Sequence, residues 1–253
     1  MAEGDTIHRV ARRLDAALGG RPVERAAAPN PRSPIHTRAG ELDGRSLDGV
    51  EARGKHLIAI FSGGLALHSH LGIEGRWMIR ADGRAPRGKP WLLLASGETL
   101  AAQFGGKLLR LVSESRIRND PALARLGPDP LAPGFELEAA TARLRRAGAG
   151  REIGEVLLDQ TILAGVGNAI RNEACFRAQL SPWRPVDALG AAEAERIVAE
   201  CAAVMEAGFE TGRRPRSIYR QAGRPCPRCG TAIRSRGQGD ANRMAYWCPR
   251  CQR

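Results

Sequence analysis

Two carboxylates, Glu3 and Asp5, stand at the very start of a 253-residue chain, directly ahead of a run whose apolar residues Ile7, Val10, Ala11, Leu14 and Leu18 fall on one face at helical spacing. Chain termini usually fray, so acidic groups set against so regular a pattern suggest that the terminus itself is used. At the other end, Cys226-x2-Cys229 is followed eighteen residues later by Cys248-x2-Cys251. Two such knuckles can place four thiolates in a tetrahedron around zinc, and a shell closed by four cysteines leaves no position for a reactive water, so the metal is structural. Cys175 and Cys201 lie apart, inside helical patterns, and read as small buried hydrophobes. Between these ends, Leu157 to Asn168 reads as helix, glycine-containing turn and helix, with Asn168 where the second helix begins. Such an N-terminus offers N–H groups and a positive dipole end to a phosphate; an Asn at a helix start also serves simply as a cap.

The formal charge of +12 and isoelectric point near 10.6 point to a polyanionic partner, nucleic acid before an acidic membrane surface. Lys55, Lys89 and Lys107 are the only lysines, so arginine carries nearly all the positive charge, a bias that a GC-rich genome also produces. No apolar run is long enough to span a bilayer, and the start lacks a secretory pattern, which together give a cytoplasmic expectation.

These residues need elements to position them. The first helix begins with Asp5 or Thr6 as cap and ends at Gly19-Gly20. Lys55 to Phe61, the turn Ser62-Gly63-Gly64 and Leu65 to His70 read as a hairpin, and Trp91 to Ala95, Thr99 to Phe104 and Lys107 to Val112 add strands, with Ala81 to Pro90 as an exposed loop. The expectation is a β-sandwich or flattened barrel with the first helix packed on it. A proline-rich passage from Leu126 to Pro133 marks a boundary. Beyond it, helices are predicted over Leu137 to Ala147, Glu152 to Gln160, Asn168 to Gln179 and Ala191 to Ala207. The cysteine pairs then flank a hairpin carrying Arg234, Arg236 and Arg243. The reading is an α+β multidomain chain: residues 1–125 an N-terminal β-sandwich, 126–220 a helical helix-two-turn-helix domain and 221–253 a four-cysteine zinc finger.

Taken together, five stretches in order carry a resemblance. They are the opening Glu3-Gly4-Asp5-Thr6 with its helix, Arg53 to Leu57, Ser69 to Gly75, Leu157 to Ala174, and the finger closing Tyr246-Trp247-Cys248-Pro249-Arg250-Cys251-Gln252. Over essentially its whole length the chain resembles the formamidopyrimidine-DNA glycosylase/endonuclease VIII family of base-excision-repair enzymes. The opening and Gly54-Lys55-His56-Leu57 look most like its actinobacterial endonuclease VIII-like branch.

The resemblance implies a bifunctional DNA glycosylase and AP lyase acting on duplex DNA in a basic cleft, as a nucleoid-associated bacterial monomer with one structural zinc. Removal of Met1 exposes the amine of Ala2 for attack on the sugar C1′, with Glu3 as acid/base. An α-amine titrates at about pH 8, and the positive helix end favours its neutral form. The cationic Schiff base then permits β,δ-elimination. Lys55 contacts the phosphate flanking the lesion and assists proton transfer, Asn168 and Arg243 grip phosphate, Arg243 also helps the second elimination, and Ile73 fills the gap left by the extruded nucleotide. Glu173 stands as a structural partner near the N-terminus. One departure matters: the family has Pro at position 2 and this chain has Ala2. An alanine imine must be protonated to become an electron sink, whereas a proline iminium is cationic from the start. Oxidised pyrimidines are the expected lesions, because the Asp-Pro-Arg-Arg-Phe loop of the purine-specific branch is missing between Thr99 and Leu111. Competing readings are a glycosylase for oxidised purines and, because of Ala2, a catalytically silent homologue that binds lesions.

Overall fold

The computed structural model describes residues 2–253, and Met1, on whose removal the expected amine depends, lies outside them. The chain divides into two compact units. One comprises Ala2 and Thr6–Ala124, the other Glu3–Asp5 with Arg125–Arg253.

The first unit begins with helix α1 (Gly4–Leu18) and continues through strands β1 (Arg25–Ala27), β2 (Leu47–Arg53), β3 (His56–Phe61), β4 (Leu65–His70), β5 (Arg76–Arg80), β6 (Leu92–Ser96), β7 (Thr99–Phe104) and β8 (Leu108–Ser113). Short helices α2 (Glu114–Arg118) and α3 (Pro121–Ala124) close it. The strands form two antiparallel four-stranded sheets, in the orders β1-β6-β7-β5 and β2-β3-β4-β8. Alternation does the sorting: Leu57, Ala59 and Phe61 of β3, Leu67 of β4 and Leu109 and Leu111 of β8 turn inward to meet Leu92, Leu94 and Ala101 of the other sheet. The apolar stripe of α1, Ile7 to Leu18, joins the same core, giving the expected sandwich with its packed helix. The opposite face of the second sheet carries His56, His68, His70 and Arg110.

Three strands were not legible. β1 is only three residues long, β2 is interrupted by a register shift between Leu47 and Gly49, and β5 begins and ends with arginine. The expected caps of α1 also differ: the helix begins at Gly4, and Asp5 lies within its first turn.

The second unit holds α4 (Leu137–Ala147), α5 (Ile153–Val156), α6 (Asn168–Arg177), α7 (Ala191–Thr211) and the hairpin of β9 (Arg234–Gln238) and β10 (Arg243–Trp247). Its core joins Leu144, Val156, Ile170, Ile197, Val204 and Met205. The predicted helix over Glu152 to Gln160 is cut to α5, because side chains take over the backbone. Asp159 Oδ1 accepts from Thr161 N and Oγ1, while Gln160 Nε2 donates to Leu158 O and Val166 O and its Oε1 accepts from Gly165 N. Those bonds build the turn that delivers the chain to α6. Helix α7 runs past Ala207 to Thr211, where Gly212 at φ 71° supplies the left-handed stop. Cys175 and Cys201 are fully buried in this core, where burial pushes the Cys175 thiol up to about 12. No described helix is long and apolar enough to cross a membrane.

Candidate active site and DNA-contacting residues

Glu3 is the most constrained residue of the predicted set. It is 0% exposed, and its two carboxylate oxygens accept the N–H groups of Ala169 and Ile170 at 2.9 and 3.1 Å. These are orphan donors of the first turn of α6. The helix end that sequence reasoning offered to a phosphate is thus occupied by the chain's own carboxylate, which the helix dipole welcomes. Two glycines make this approach possible. A Cβ on Gly167 would lie 2.3–2.5 Å from the Glu3 carboxylate and Cγ, and one on Gly4 would strike Gly165 Cα at 2.7 Å and Met205 Cε at 2.6 Å. Gly4 N also donates to Gly165 O at 2.9 Å. Asp5, by contrast, takes both nitrogens of a bidentate pair with Arg214, at 2.5 Å each. It is a structural anchor.

Asn168 opens α6, with its side-chain nitrogen donating to Met244 O at 3.1 Å. Its oxygen accepts from Arg171 at 2.5 Å. Arg171 was missed by sequence reasoning. It is 0% exposed and reaches Gly154 O, Gln238 Oε1, Asn168 Oδ1 and Met244 O at 3.2, 2.8, 2.5 and 2.9 Å. Burial pulls its guanidinium down to about 10, which still leaves it charged at neutral pH. One buried cation therefore ties α6 to both strands of the finger hairpin and holds the backbone beside exposed Arg243. The stretch Ala169 to Phe176 is buried throughout, Arg171 included, and no local spacing in the sequence marks that arginine. Glu173 is a structural residue of the same helix. Its carboxylate accepts the N–H groups of Ser217, Ile218 and Tyr219 at 2.8–3.0 Å and fixes the loop after α7.

The sulfurs of Cys226, Cys229, Cys248 and Cys251 all lie within 4.8 Å of one another, with Cys226 to Cys251 at 3.9 Å and Cys229 to Cys248 at 3.5 Å. A zinc–sulfur bond of about 2.3 Å implies tetrahedral edges of roughly 3.8 Å, so the donor set fits one zinc ion. Phe176, Ile218 and Ile233 pack against the cluster.

In the first unit, Ala2 is half-buried and packs at the edge of the sandwich core. Lys55 is half-buried ahead of β3. Ile73 tops a tight turn, closed by Gly75 N donating to Leu71 O at 3.0 Å, and is 64% exposed. Met244 of the finger, 40% exposed, is the other large exposed hydrophobe among the described residues. On the outer face of the second sheet lies a cluster that sequence reasoning passed over. His56 Nδ1 is 2.9 Å from His68 Nε2, Arg110 Nε and Nη2 lie 3.1 and 3.0 Å from His68 Nδ1, and Arg110 pairs with Asp120. Burial is the first cause that lowers all three imidazoles, His56 to about 3 and His68 to about 4, followed by the adjoining imidazoles for His56, Arg110 for His68, and Lys107 and Lys55 for His70.

A β-sandwich with a packed helix, and a second unit in which the buried acid of residue 3 caps a helix-turn-helix and a four-cysteine finger follows, define a class of DNA-repair enzyme. Comparison with known proteins agrees: residues 1–111 match the formamidopyrimidine-DNA glycosylase N-terminal domain, 126–219 its H2TH domain and 223–253 the zinc finger found in FPG and IleRS. The chain belongs to the formamidopyrimidine-DNA glycosylase/endonuclease VIII family. It is 38% identical to the probable endonuclease 8 2 of Streptomyces coelicolor, covering 100% of this chain and 94% of that one. It is 34% identical to endonuclease 8 1 of Mycobacterium tuberculosis, with 100% of both covered, and 35% identical to the DNA-(apurinic or apyrimidinic site) lyase Nei2 of Mycolicibacterium smegmatis, covering 100% and 99%. Among solved structures, Thermus thermophilus MutM (Fpg) superposes with a TM-score of 0.79 at 29% identity, over 99% and 98% of the two chains. The fold is also that of Lactococcus lactis Fpg bound to DNA containing an AP site, with a TM-score of 0.85 at 24% identity and 100% of both covered.

Proposed function

We propose that this chain is a DNA glycosylase with AP lyase activity in base excision repair, and that its lesions are oxidised pyrimidines. The observation that carries the reading is the buried Glu3 carboxylate capping α6, one peptide bond from Ala2. In this scheme the Ala2 amine attacks C1′, and its two protons pass by way of Glu3 to the departing base and to O4′ as the C1′–base and C1′–O4′ bonds break, which leaves nitrogen and C1′ joined as an imine. Protonation of that imine acidifies C2′, whose proton loss expels the 3′ phosphate, and a second proton loss, from C4′ of the conjugated product, expels the 5′ phosphate. Lys55 and Ile73 serve as phosphate contact and wedge in the first unit; Asn168 and Arg243 serve as phosphate contacts in the second. Zinc in the finger supplies structure and takes no part in proton or electron movement. The enzyme works as a monomer on the bacterial nucleoid.

Lesion preference is supported by two facts. β7 and β8 are joined by Gly105-Gly106-Lys107 alone, which leaves no room for the loop of the purine branch, and relatives at 34–38% identity carry the name endonuclease 8. Single-turnover cleavage of matched duplexes containing thymine glycol or 8-oxoguanine tests it. Faster release of thymine glycol is expected; faster release of 8-oxoguanine overturns the pyrimidine assignment.

A further inference from the structure

The histidine cluster has a direction. A guanidinium has donors only, so both contacts from Arg110 to His68 Nδ1 make that atom an acceptor. The proton of neutral His68 then sits on Nε2 and is donated to His56 Nδ1 at 2.9 Å. His56 in turn carries its proton on Nε2. Asp120, itself fixed by the N–H groups of Ala122 and Leu123, holds Arg110 in place. The chain Asp120, Arg110, His68, His56 thus begins at a buried-side ion pair, passes through a ring that is 2% exposed, and ends on a half-exposed N–H. That last nitrogen has no protein acceptor among the described residues and is not among their buried unsatisfied atoms, so it faces solvent.

Its surroundings are positive. Lys107 lies within electrostatic reach of His56, Lys107 and Lys55 of His70, and Arg53 stands opposite His56 in β2, paired with exposed Glu51. His70, across from His56 in β4 with ring centroids 4.9 Å apart, accepts Gly72 N at 3.1 Å and so supports the turn that presents Ile73. An uncharged donor among cations, at the base of that turn, suits an anionic oxygen.

We propose that His56 donates its Nε2–H to a backbone phosphate of the bound duplex, and that His68, Arg110 and Asp120 are positioning residues that hold it in this tautomer. The proposal rests on the DNA-binding reading above. A permanently neutral donor differs from a lysine in a measurable way: it adds affinity without releasing counterions, so it leaves the salt slope alone. It also stays neutral across the physiological range, where a solvated histidine would titrate. The groups facing His56 are His68 and His70 from β4, Lys107 before β8, Asp120 after α2 and Arg53 from β2.

Two measurements test it. In the zinc-loaded wild-type protein, two-bond proton–nitrogen correlation spectra between pH 5.5 and 8 are expected to show His56 and His68 neutral with the proton on Nε2. A duplex carrying a tetrahydrofuran abasic analogue is expected to shift the His56 Nε2 signal. An imidazolium at pH 6, an Nδ1–H form, or no response to duplex overturns the proposal without requiring any variant to fold. In binding titrations, His56→Phe is expected to weaken affinity about tenfold, the size of one hydrogen bond to a charged group, at an unchanged salt slope, with His56→Gln recovering most of the loss. If the wild type fails to bind the duplex, the DNA reading itself fails. If the wild type binds and His56→Phe either matches it or loses one unit of salt slope, only the role of His56 fails.

Discussion

The carboxylate of Glu3 and the first turn of the helix that opens at Asn168 are bound across most of the chain's length: Oε1 accepts Ala169 N and Oε2 accepts Ile170 N, at 2.9 and 3.1 Å. A residue expected to donate and accept protons is therefore also the cap of the helix-two-turn-helix motif. This dual role separates two kinds of loss on mutation.

Glu3→Gln keeps the shape and one acceptor but aims an NH2 group at a backbone donor. The folded state is expected to lose about 1–2 kcal/mol, the scale of a lost helix cap and its unsatisfied donor. Base removal is expected to fall about 100-fold or more, the scale of a positioned acid/base group. Urea titration and single-turnover release of thymine glycol measure the two; unchanged base removal would take Glu3 out of the chemistry.

Gly167→Ala tests the same contact from the other side. The added Cβ would lie 2.3 Å from Glu3 Cδ, so the carboxylate must move off the helix end. A destabilisation of about 1–3 kcal/mol with loss of activity is expected in the same assays. Full activity would show that the cap is dispensable.

How much of this was legible follows from which signals are local. The zinc knuckles, the hairpin from His56 to His70 and the stripe of α1 are periodic or fixed in spacing, and the structure has them where the sequence reading placed them. Arg171 and the group of His56, His68, Arg110 and Asp120 depend on pairing between distant elements, β4 with β8 and α6 with the finger, and no sequence interval announces them. The Glu3 cap joins residues 166 apart and was invisible for the same reason. Asp5 falls inside the first turn of α1, which begins at Gly4, and its carboxylate pairs with Arg214.

The buried imidazoles make stability depend on acid. His68 takes up a proton at about 6.5 when unfolded and at about 4 when folded. Between those values the unfolded chain holds a proton that the native state lacks, so stability is full above pH 6.5 and falls as pH drops toward 4. His68 contributes on the order of 1 kcal/mol per pH unit, with smaller, solvent-screened additions from half-exposed His56 and His70. Urea midpoints at pH 7 and pH 5 should differ accordingly, and His68→Leu should flatten the difference; equal midpoints in the wild type would mean the cluster protonates without cost.

Ala2→Pro makes the imine permanently cationic, so strand cleavage is expected to rise more than base removal on the same thymine-glycol duplex. Rates of the two steps that change in equal proportion would show that imine protonation does not limit the natural chain.

The central claim is that the amine of Ala2 forms the covalent intermediate. Borohydride reduction of the protein on abasic-site duplex, with intact mass first confirming that Met1 has been removed, followed by peptide mapping, tests it most directly. A reduced sugar adduct on the N-terminal peptide at Ala2 is the expected result. An adduct on Lys55, or none from protein that binds the duplex and has lost Met1, contradicts it.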